Sequence, residues 1–320
     1  MDAASKIYVS GHSGMVGAAL VRALRRRGHS NLVLRTHAEL DLTDMAAVAR
    51  FFDVEQPELV FHPAGRVGGI VANSTYPADF IRDNLQMEIN VVHQAWTHGV
   101  KRLMYFGSSC IYPRECPQPI REDYLLTGPL EPTNSAYAVA KIAGVETCRA
   151  YNHQHGTRFL AVMPTNLYGP GDHYDLQNSH VLPAFIRKMY EAKLRGDAEV
   201  AIWGSGRPRR EFLHVDDLAE ACMLLAALDQ AAFDKVVAAW RYPLINIGCG
   251  EDSTITELAQ LVADAVGFRG KLRYDASKPD GTPQKLLDVS RMNALGWAPR
   301  IGLREGVTAT YRGALDEKIF

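Results

Sequence analysis

Short apolar runs alternate with longer amphipathic segments along the first half of the chain. The apolar runs predict five buried strands, at residues 6–10, 32–34, 59–62, 102–107 and 158–163. The segments between them, where apolar residues recur every three or four positions, predict helices at 15–27, 43–53, 83–98 and 136–155. Strands that alternate with helices in this way predict an α/β fold of the Rossmann type, with a doubly wound parallel sheet and helices on both faces.

The pattern changes after Pro164. A glycine- and aspartate-rich loop at 169–179 is followed by a predicted helix at 181–194, a strand at 200–203 and a basic loop at 206–210. We interpret residues 1–172 as a Rossmann domain and residues 173–320 as mainly a smaller α/β substrate lobe. Segments near 212–228 and 243–250 are expected to return to the first domain, so that the lobes are partly interleaved. Residues 231–242 are expected to form an exposed connection.

Composition excludes several classes of protein. The chain has 320 residues and a net charge of -1, which gives no sign of a nucleic-acid partner. No apolar run approaches the roughly 20 residues needed to span a bilayer, and the N-terminus lacks the apolar region of a signal peptide. Five scattered cysteines without a CxxC pair, and a lone His153/His155 pair, predict no disulfide framework and no metal site. A cytoplasmic enzyme without a membrane partner is therefore expected.

A glycine turn follows the first predicted strand and opens the first predicted helix. Gly11 permits a tight turn, Gly14 lets the backbone approach a pyrophosphate, and Gly17 allows close packing of helix on strand. The helix N-terminus then faces the phosphates, with His12, Ser13, Met15 and Val16 lining the turn. This context favours a dinucleotide site over a glycine turn that binds nothing.

The end of the second strand bears on the choice of dinucleotide. NAD sites usually have an acidic residue there, whereas this chain has Arg35, a cation that suits the 2′-phosphate of NADP. The alternative is that Arg35 is only a solvated surface residue. Asp41 lies further on and is expected to face the adenine. The sequence thus favours NADP(H).

Tyr137 and Lys141 are four residues apart on the predicted helix 136–155, so both side chains project from one face. A lysine ammonium beside a phenol favours the phenolate, which brings the tyrosine into the range of proton transfer. Together with the glycine turn, the pair predicts hydride chemistry on a carbonyl or an alcohol. Without that turn, an exposed helix pair would be an equally good interpretation.

Several segments, taken in order, resemble the extended short-chain dehydrogenase/reductases. They are the glycine turn, Ser108-Ser-Cys-Ile-Tyr-Pro113, Tyr137-x-x-x-Lys141, Pro164-Thr-Asn-Leu-Tyr-Gly-Pro170 and Arg210-Glu-Phe-Leu-His-Val-Asp-Asp217. Within that superfamily, Cys110, the segment Asn178-Ser-His180 and the stretch from Asp275 to Pro283 are similar to the GDP-L-fucose synthase family.

The resemblance implies an NADPH-dependent 3,5-epimerase and 4-reductase that acts on GDP-4-keto-6-deoxy-D-mannose. Cys110 and His180 would exchange the protons at C3 and C5, and a cationic neighbour would lower the pKa of Cys110. Ser108 and Tyr137 would stabilise the enolate, and Tyr137 would then protonate the reduced oxygen. Lys141 would hold the nicotinamide ribose and keep the Tyr137 pKa low. Taken alone, Cys110 fits a small buried apolar residue, and His180 fits a loop or capping residue.

The resemblance also implies the remaining contacts. Cofactor contacts are expected at Gly107, Ser108, Tyr137, Lys141, Pro164, Asn166, Leu167 and His180. Substrate contacts are expected at Lys188, Trp203, Arg210 and Asp280, although Trp203 also fits core packing and the arginine loop also fits a solvated surface. A homodimer paired through helices 83–98 and 136–155 is expected by analogy. Ser13 and His37 stand where bacterial members of the family often have arginine, which leaves Arg35 as the main cation for the 2′-phosphate.

Two other functions stay open at this point. One is a related nucleotide-sugar epimerase or 4-ketoreductase of the same superfamily, against which Cys110 and His180 argue. The other is a non-catalytic regulatory protein that binds NADP, against which the intact set of Ser108, Tyr137 and Lys141 argues.

Overall fold

The structure is a computed structural model, and it describes residues 1–2, 4–176, 179–238, 241–278 and 280–320. The described strands are β1 (Ile7–Val9), β2 (Leu32–Val33), β3 (Leu59–His62), β4 (Arg102–Phe106), β5 (Phe159–Pro164), β6 (Asn166–Tyr168), β7 (Glu199–Trp203), β8 (Arg209–His214), β9 (Leu244–Ile247), β10 (Asp252–Thr254), β11 (Lys271–Asp275) and β12 (Gln284–Lys285). The described α-helices are α1 (Met15–Arg26), α2 (Met45–Glu55), α3 (Ile70–Thr75), α4 (Pro77–Thr97), α5 (Ser135–His155), α6 (Val181–Arg195), α7 (Val215–Ala227), α8 (Gln230–Ala238), α9 (Ile255–Val266), α10 (Ser290–Ala294) and α11 (Leu303–Asp316). Short 3₁₀ helices lie at Ser109–Ile111, Glu122–Tyr124 and Pro132–Asn134.

A six-stranded sheet in the order β2-β1-β3-β4-β5-β9 organises the molecule, and all of its neighbouring strands are parallel. The chain leaves β1 for β2 on one side and later adds β3 on the other. Ligands bind at such a switch point, outside the carboxyl ends of the strands. The five strands predicted in the first half of the chain are confirmed, as is the doubly wound α/β fold. β9, which the sequence predicted to return to this sheet, pairs with β5.

Helices cover both faces of this sheet. On one face α1, α7 and α8 enclose an apolar core that includes Leu20 and Leu218. On the other face α2, α4 and α5 enclose a second core that includes Phe52, Val91 and Val145. Because both faces are buried, the strands are mostly apolar rather than alternating, as is typical of parallel sheets.

A third core lies in the second half of the chain. Helices α6, α9 and α11 pack around β7 and β8, with buried side chains that include Phe185, Val262 and Val307. β8 pairs with β6, β10 and β12, while β7 pairs with β11. The buried Glu211 carboxylate of β8 accepts hydrogen bonds from the amides of Gly250, at 2.7 Å, and Leu287, at 3.0 Å. It therefore ties β8 to the segments that follow β9 and β12.

Two expectations about local structure were wrong. The exposed connection expected at 231–242 is wrong for residues 231–238, which belong to α8 and bury Phe233 and Val236 against the sheet, while residues 239–240 lie outside the described residues. The helix expected at 83–98 begins earlier, at Pro77, a residue whose fixed φ and missing N–H suit a first helical position. Among the described helices, none is long and apolar enough to cross a membrane.

Candidate active site

The glycine turn forms a tight cradle at the carboxyl end of β1. Gly11 has a φ of +59°, in the left-handed region that favours glycine, and its carbonyl accepts a hydrogen bond from Gly14 N at 3.0 Å. A Cβ on Gly17 would lie 2.2 Å from the Gly11 oxygen, so only glycine fits there. α1 starts directly after Gly14, which provides no side-chain cap, and the first amides of a helix have no partner within the helix. This open backbone below a helix N-terminus fits the pyrophosphate of a dinucleotide.

Arg35 is already engaged with a carboxylate. Its guanidinium lies 2.5 Å from Oε1 of Glu55, and Lys6 Nζ lies 3.0 Å from the other oxygen of the same carboxylate. Asp41 accepts hydrogen bonds from the amide and hydroxyl of Thr43, and His37 Nδ1 lies 3.9 Å away from it. The predicted cation is therefore near the end of β2, but it is paired within the protein.

Ser108 and Cys110 follow β4 at the sheet edge. Ser108 precedes the first 3₁₀ helix, and its Oγ accepts a hydrogen bond from Cys110 N at 3.4 Å. Gly107 brings this turn against β5, since a Cβ there would lie 2.0 Å from the Met163 methyl. Burial raises the pKa of the Cys110 thiol, and the charge of Lys285 acts in the opposite direction. The lowered pKa expected for Cys110 is thus absent, although the expected cationic neighbour is present.

Tyr137 and Lys141 lie near the start of α5. The Tyr137 ring packs edge-on against Phe80, with centroids 6.2 Å apart. Desolvation raises the pKa of its hydroxyl well above 10, the charge of Cys110 acts in the same direction, and the neighbouring Ser108 hydroxyl opposes it. The low Tyr137 pKa expected from Lys141 is therefore not found, because desolvation dominates. Lys141 Nζ lies 3.0 Å from the carboxylate of Glu88 and 5.9 Å from the Tyr137 ring centroid.

The segment after β5 lies beside the same edge. Pro164 ends β5 opposite Ile247, and Asn166 Nδ2 donates a hydrogen bond to the Glu211 carbonyl at 2.8 Å. Leu167 packs against the first core. His180 immediately precedes α6 and is exposed. Asn178, from the predicted Asn-Ser-His segment, lies outside the described residues.

A cationic surface in the smaller lobe contains the expected substrate residues. Trp203 is 49% exposed, and the ammonium groups of Lys188 and Lys278 lie 4.9 and 5.4 Å from its ring centroid. Asp280 accepts two hydrogen bonds from Ser205, both at 2.7 Å. Arg210, on β8, interacts electrostatically with Asp280. All four predicted substrate residues therefore lie in the second half of the chain, where Lys188 and Trp203 are in contact and Arg210 and Asp280 interact.

Two residues of this region escaped sequence reasoning. Lys285 on β12 pairs in register with Arg210, interacts with Cys110, and has a pKa that burial lowers. Glu88 on α4 contacts Lys141. Neither belongs to a recognisable motif, although an acidic residue in the apolar face of helix 83–98 was a detectable anomaly. Within the described ranges, no group of three or more His, Cys, Asp or Glu could hold a metal ion.

The site and fold are those of a nucleotide-dependent α/β enzyme, and the chain belongs to the NAD dependent epimerase/dehydratase family, whose model matches residues 7–239. GDP-L-fucose synthase 1 of Arabidopsis thaliana is 56% identical to it over 310 residues, covering 97% of this chain and 93% of that protein. GDP-L-fucose synthase of Escherichia coli (strain K12) is 49% identical over 316 residues, covering 98% and 97%. The narrower resemblance predicted from the sequence is thereby confirmed.

A solved structure extends the comparison to the fold. The GDP-mannoheptose C4 reductase from Campylobacter jejuni with NADP bound has a TM-score of 0.89 and 40% sequence identity. The match covers 98% of this chain and 99% of that one.

Proposed function

We propose that this protein converts GDP-4-keto-6-deoxy-D-mannose to GDP-L-fucose, with NADPH as the reductant. The main support is the position of Cys110. Its thiol lies at the same sheet edge as Ser108 and is close enough to Tyr137 to raise the pKa of that tyrosine. A carbonyl reductase needs only Ser108, Tyr137 and Lys141, whereas an added thiol supplies a base for carbon acids. The similarity to two GDP-L-fucose synthases over nearly the whole chain supports the same assignment.

The cofactor would be held along the carboxyl ends of β1, β4 and β5. The glycine turn with His12, Ser13, Met15 and Val16 would bind the pyrophosphate, and Asp41 would face the adenine. Arg35 would hold a 2′-phosphate with guanidinium N–H groups that its ion pair with Glu55 does not use. The nicotinamide half would lie among residues of the sheet edge, namely Gly107, Ser108, Tyr137, Lys141, Pro164, Asn166, Leu167 and His180. Bound NADPH supplies a hydride to C4 of the sugar.

In the epimerisation stage, Cys110 as thiolate would take a proton from a carbon next to the C4 carbonyl. The electron pair of that C–H bond would move onto the C4 oxygen, where Ser108 and Tyr137 donate hydrogen bonds to the enolate. His180 would return a proton to the opposite face of the carbon. Lys285 supports this role, because its charge favours the thiolate against the effect of burial.

In the reduction stage, Tyr137 would donate its hydroxyl proton to the C4 oxygen. Its pKa, which desolvation raises, suits a group that must remain protonated until the oxygen gains negative charge. Lys141 would orient the cofactor ribose. The same tyrosine would therefore serve both stages.

The substrate diphosphate would bind the cations of the smaller lobe. Lys188 and Arg210 supply positive charge, and Trp203 offers an exposed ring to the sugar or the guanine. Asp280 would contact the substrate from the loop that Ser205 holds in place.

These roles divide the chain between two ligands. Residues 1–172 would bind the cofactor, together with returning segments near 212–228 and 243–250. Residues 173–320 would mainly bind the nucleotide sugar.

The exposed faces of two long helices suit a homodimer. A homodimer would pair α4 and α5, whose Ile89 and Val139 are 45% and 44% exposed. Sedimentation of the full chain tests this, with a mass near 35 kDa contradicting it.

The cytoplasm suits a chain whose five cysteines are all free thiols, and cell fractionation checks that expectation. No nucleic-acid or membrane partner is proposed.

The decisive experiment incubates the protein with GDP-4-keto-6-deoxy-D-mannose and NADPH in D₂O. GDP-L-fucose labelled with deuterium at C3 and C5, together with stoichiometric loss of NADPH, is expected. Cys110→Ser should abolish the labelling, while the matched Cys116→Ser should retain it. Labelling at the normal rate in Cys110→Ser would contradict the base assignment.

The resemblance to a GDP-mannoheptose C4 reductase favours one second candidate, a 4-ketoreductase without epimerisation. The same experiment separates the two functions. Loss of NADPH without deuterium at C3 or C5 would indicate the reductase alone.

A further inference from the structure

A buried carboxylate lies directly beside the lysine of the Tyr137–Lys141 pair. Oε1 of Glu88 lies 3.0 Å from Lys141 Nζ, and the two side chains are only 3% and 2% exposed. The hydroxyl of Tyr105 donates a hydrogen bond to the same oxygen at 2.5 Å. A buried charge is costly unless it is paired and hydrogen-bonded, so each member of the pair depends on the other. None of the steps proposed so far uses Glu88.

Local packing fixes the position of this pair. Gly144 leaves room for Tyr105 against α5, because a Cβ at residue 144 would lie 2.3 Å from Cζ of that ring. Asn84, one turn before Glu88, accepts a hydrogen bond from the amide of Arg66 and thereby holds the segment after β3. In that segment a Cβ on Gly65 would lie 3.3 Å from Lys141 Nζ. The ammonium is thus enclosed by α4, β4 and the end of β3.

We propose that Glu88 is a positioning residue for the reduction: its carboxylate holds Lys141 and offsets part of the lysine charge, which keeps Tyr137 protonated until it acts as the proton donor. This inference rests on the function proposed above. A lysine ammonium alone favours phenolate, the form that an alcohol-oxidising enzyme needs at the start of its reaction. An anion beside the ammonium favours phenol, the form that carbonyl reduction needs. Glu88 therefore favours the protonated form of Tyr137, which carbonyl reduction needs, over the phenolate that alcohol oxidation needs.

The charges around the pair agree with this role. The titratable groups that face it come from several elements and are His62 of β3, Tyr105 of β4, Cys110 after β4, and Tyr137 and Cys148 of α5. Burial lowers the pKa of His62 to about 3 and raises the pKa of both tyrosines and both thiols, so these groups are neutral near pH 7. Burial also raises the pKa of Glu88, but Lys141 and the Tyr105 hydroxyl oppose that rise. Among these described neighbours, the Glu88 carboxyl is the group whose anionic form Lys141 and the Tyr105 hydroxyl both stabilise.

The experiment compares pH profiles of NADPH oxidation for the wild type and Glu88→Gln. Glutamine keeps the size and one acceptor oxygen but removes the charge. We expect the alkaline limb of the Glu88→Gln profile to move to lower pH by about one unit, because Tyr137 then loses its proton more easily. Glu88→Asp keeps the anion but withdraws it by one methylene, so its limb should lie between the other two. If Glu88→Gln does not fold, the Glu88→Asp variant alone still tests the direction of the shift.

A matched control removes a neighbour without removing charge. Tyr105→Phe deletes the second hydrogen bond to Glu88 and should lower the melting temperature while leaving the alkaline limb in place. Unshifted limbs in Glu88→Gln and Glu88→Asp, even with reduced rates, would overturn the inference and leave Glu88 a structural residue. If the wild type fails to oxidise NADPH with this substrate, the proposed function fails before any variant is compared.

Discussion

Nδ1 of His62 lies 2.8 Å from the hydroxyl oxygen of Ser10, inside the sheet below the glycine turn. Both residues are fully buried, and Ser10 Oγ also accepts a hydrogen bond from the amide of Ala64. The contact joins the carboxyl ends of β1 and β3, the two strands between which the chain order switches. A buried imidazole at this point makes the stability of the cofactor site sensitive to pH.

His62 should make the protein less stable in acid. Burial lowers its pKa to about 3 in the folded protein, against an ordinary value near 6.5 in the unfolded chain. Its contribution to stability is therefore fully present above about pH 6.5 and is lost as the pH falls toward 3, at about 1.4 kcal/mol per pH unit. Urea denaturation at about pH 7, 6 and 5 should show this dependence in the wild type and a weaker one in His62→Gln. Equal slopes for the two proteins would show that His62 is not the group responsible.

Gly17→Ala should disrupt the dinucleotide cradle. The new Cβ would meet the Gly11 carbonyl, so the turn must open, at a cost of about 1–3 kcal/mol and with NADPH affinity reduced about tenfold or more. The matched substitution is Gly313→Ala in the interior of α11, where a Cβ has open space. It should stabilise the fold by about 0.5–1 kcal/mol and leave NADPH binding unchanged. Fluorescence titration and thermal melts measure both quantities, and tight binding by Gly17→Ala would refute the role of the cradle.

Lys285→Met should make Cys110 less reactive. The positive charge of Lys285 opposes the rise in the Cys110 pKa that burial causes. Without that charge the pKa should rise further, so the thiolate fraction at neutral pH should fall about threefold to tenfold. Alkylation by iodoacetamide, followed by mass spectrometry of the peptide that contains Cys110, measures the rate directly. Lys101→Met serves as control, because Lys101 is largely exposed and pairs with Glu58. Identical alkylation rates in wild type and Lys285→Met would exclude the coupling.

Trp203→Leu should weaken substrate binding with little effect on folding. Trp203 is half-exposed between Lys188 and Lys278, so we expect KM for the GDP-sugar to rise about tenfold while kcat changes less than about twofold. Its free energy of unfolding should change by less than about 1 kcal/mol. Trp297→Leu gives the contrast, because Trp297 is buried in the first core and its loss should cost about 3 kcal/mol or more. An unchanged KM in Trp203→Leu would remove this residue from the substrate site.

The sequence predicted the central sheet well because its signals are local. Each strand is a largely apolar run, and the residues that follow a run, such as Gly11 and Ser108, also begin the functional segments. The α8 segment was misjudged because it is only nine residues long and has a weak helical pattern of its own. Its helical state depends on burying Phe233 against a sheet built from distant residues.

The site was harder to predict where partners come from different elements. Arg35 was correctly placed near the end of β2, but its pairing with Glu55 depends on how α2 packs beside that strand. Glu88 and Lys285 act on Lys141 and Cys110 from elements that only tertiary packing brings near them. Burial also reversed the expected pKa directions of Cys110 and Tyr137, because desolvation is a property of the folded surroundings rather than of the motif.

The return of β9 to the six-stranded sheet means that this protein cannot be divided by a single cut. A fragment that ends before Leu244 would leave the edge of β5 without its hydrogen-bonding neighbour, and an open, apolar strand edge recruits other chains. Fragment expression at such a boundary should therefore give insoluble material rather than a cofactor-binding module. Co-expression of the two pieces, in which β9 can be supplied in trans, offers the route to a split and reassembled enzyme.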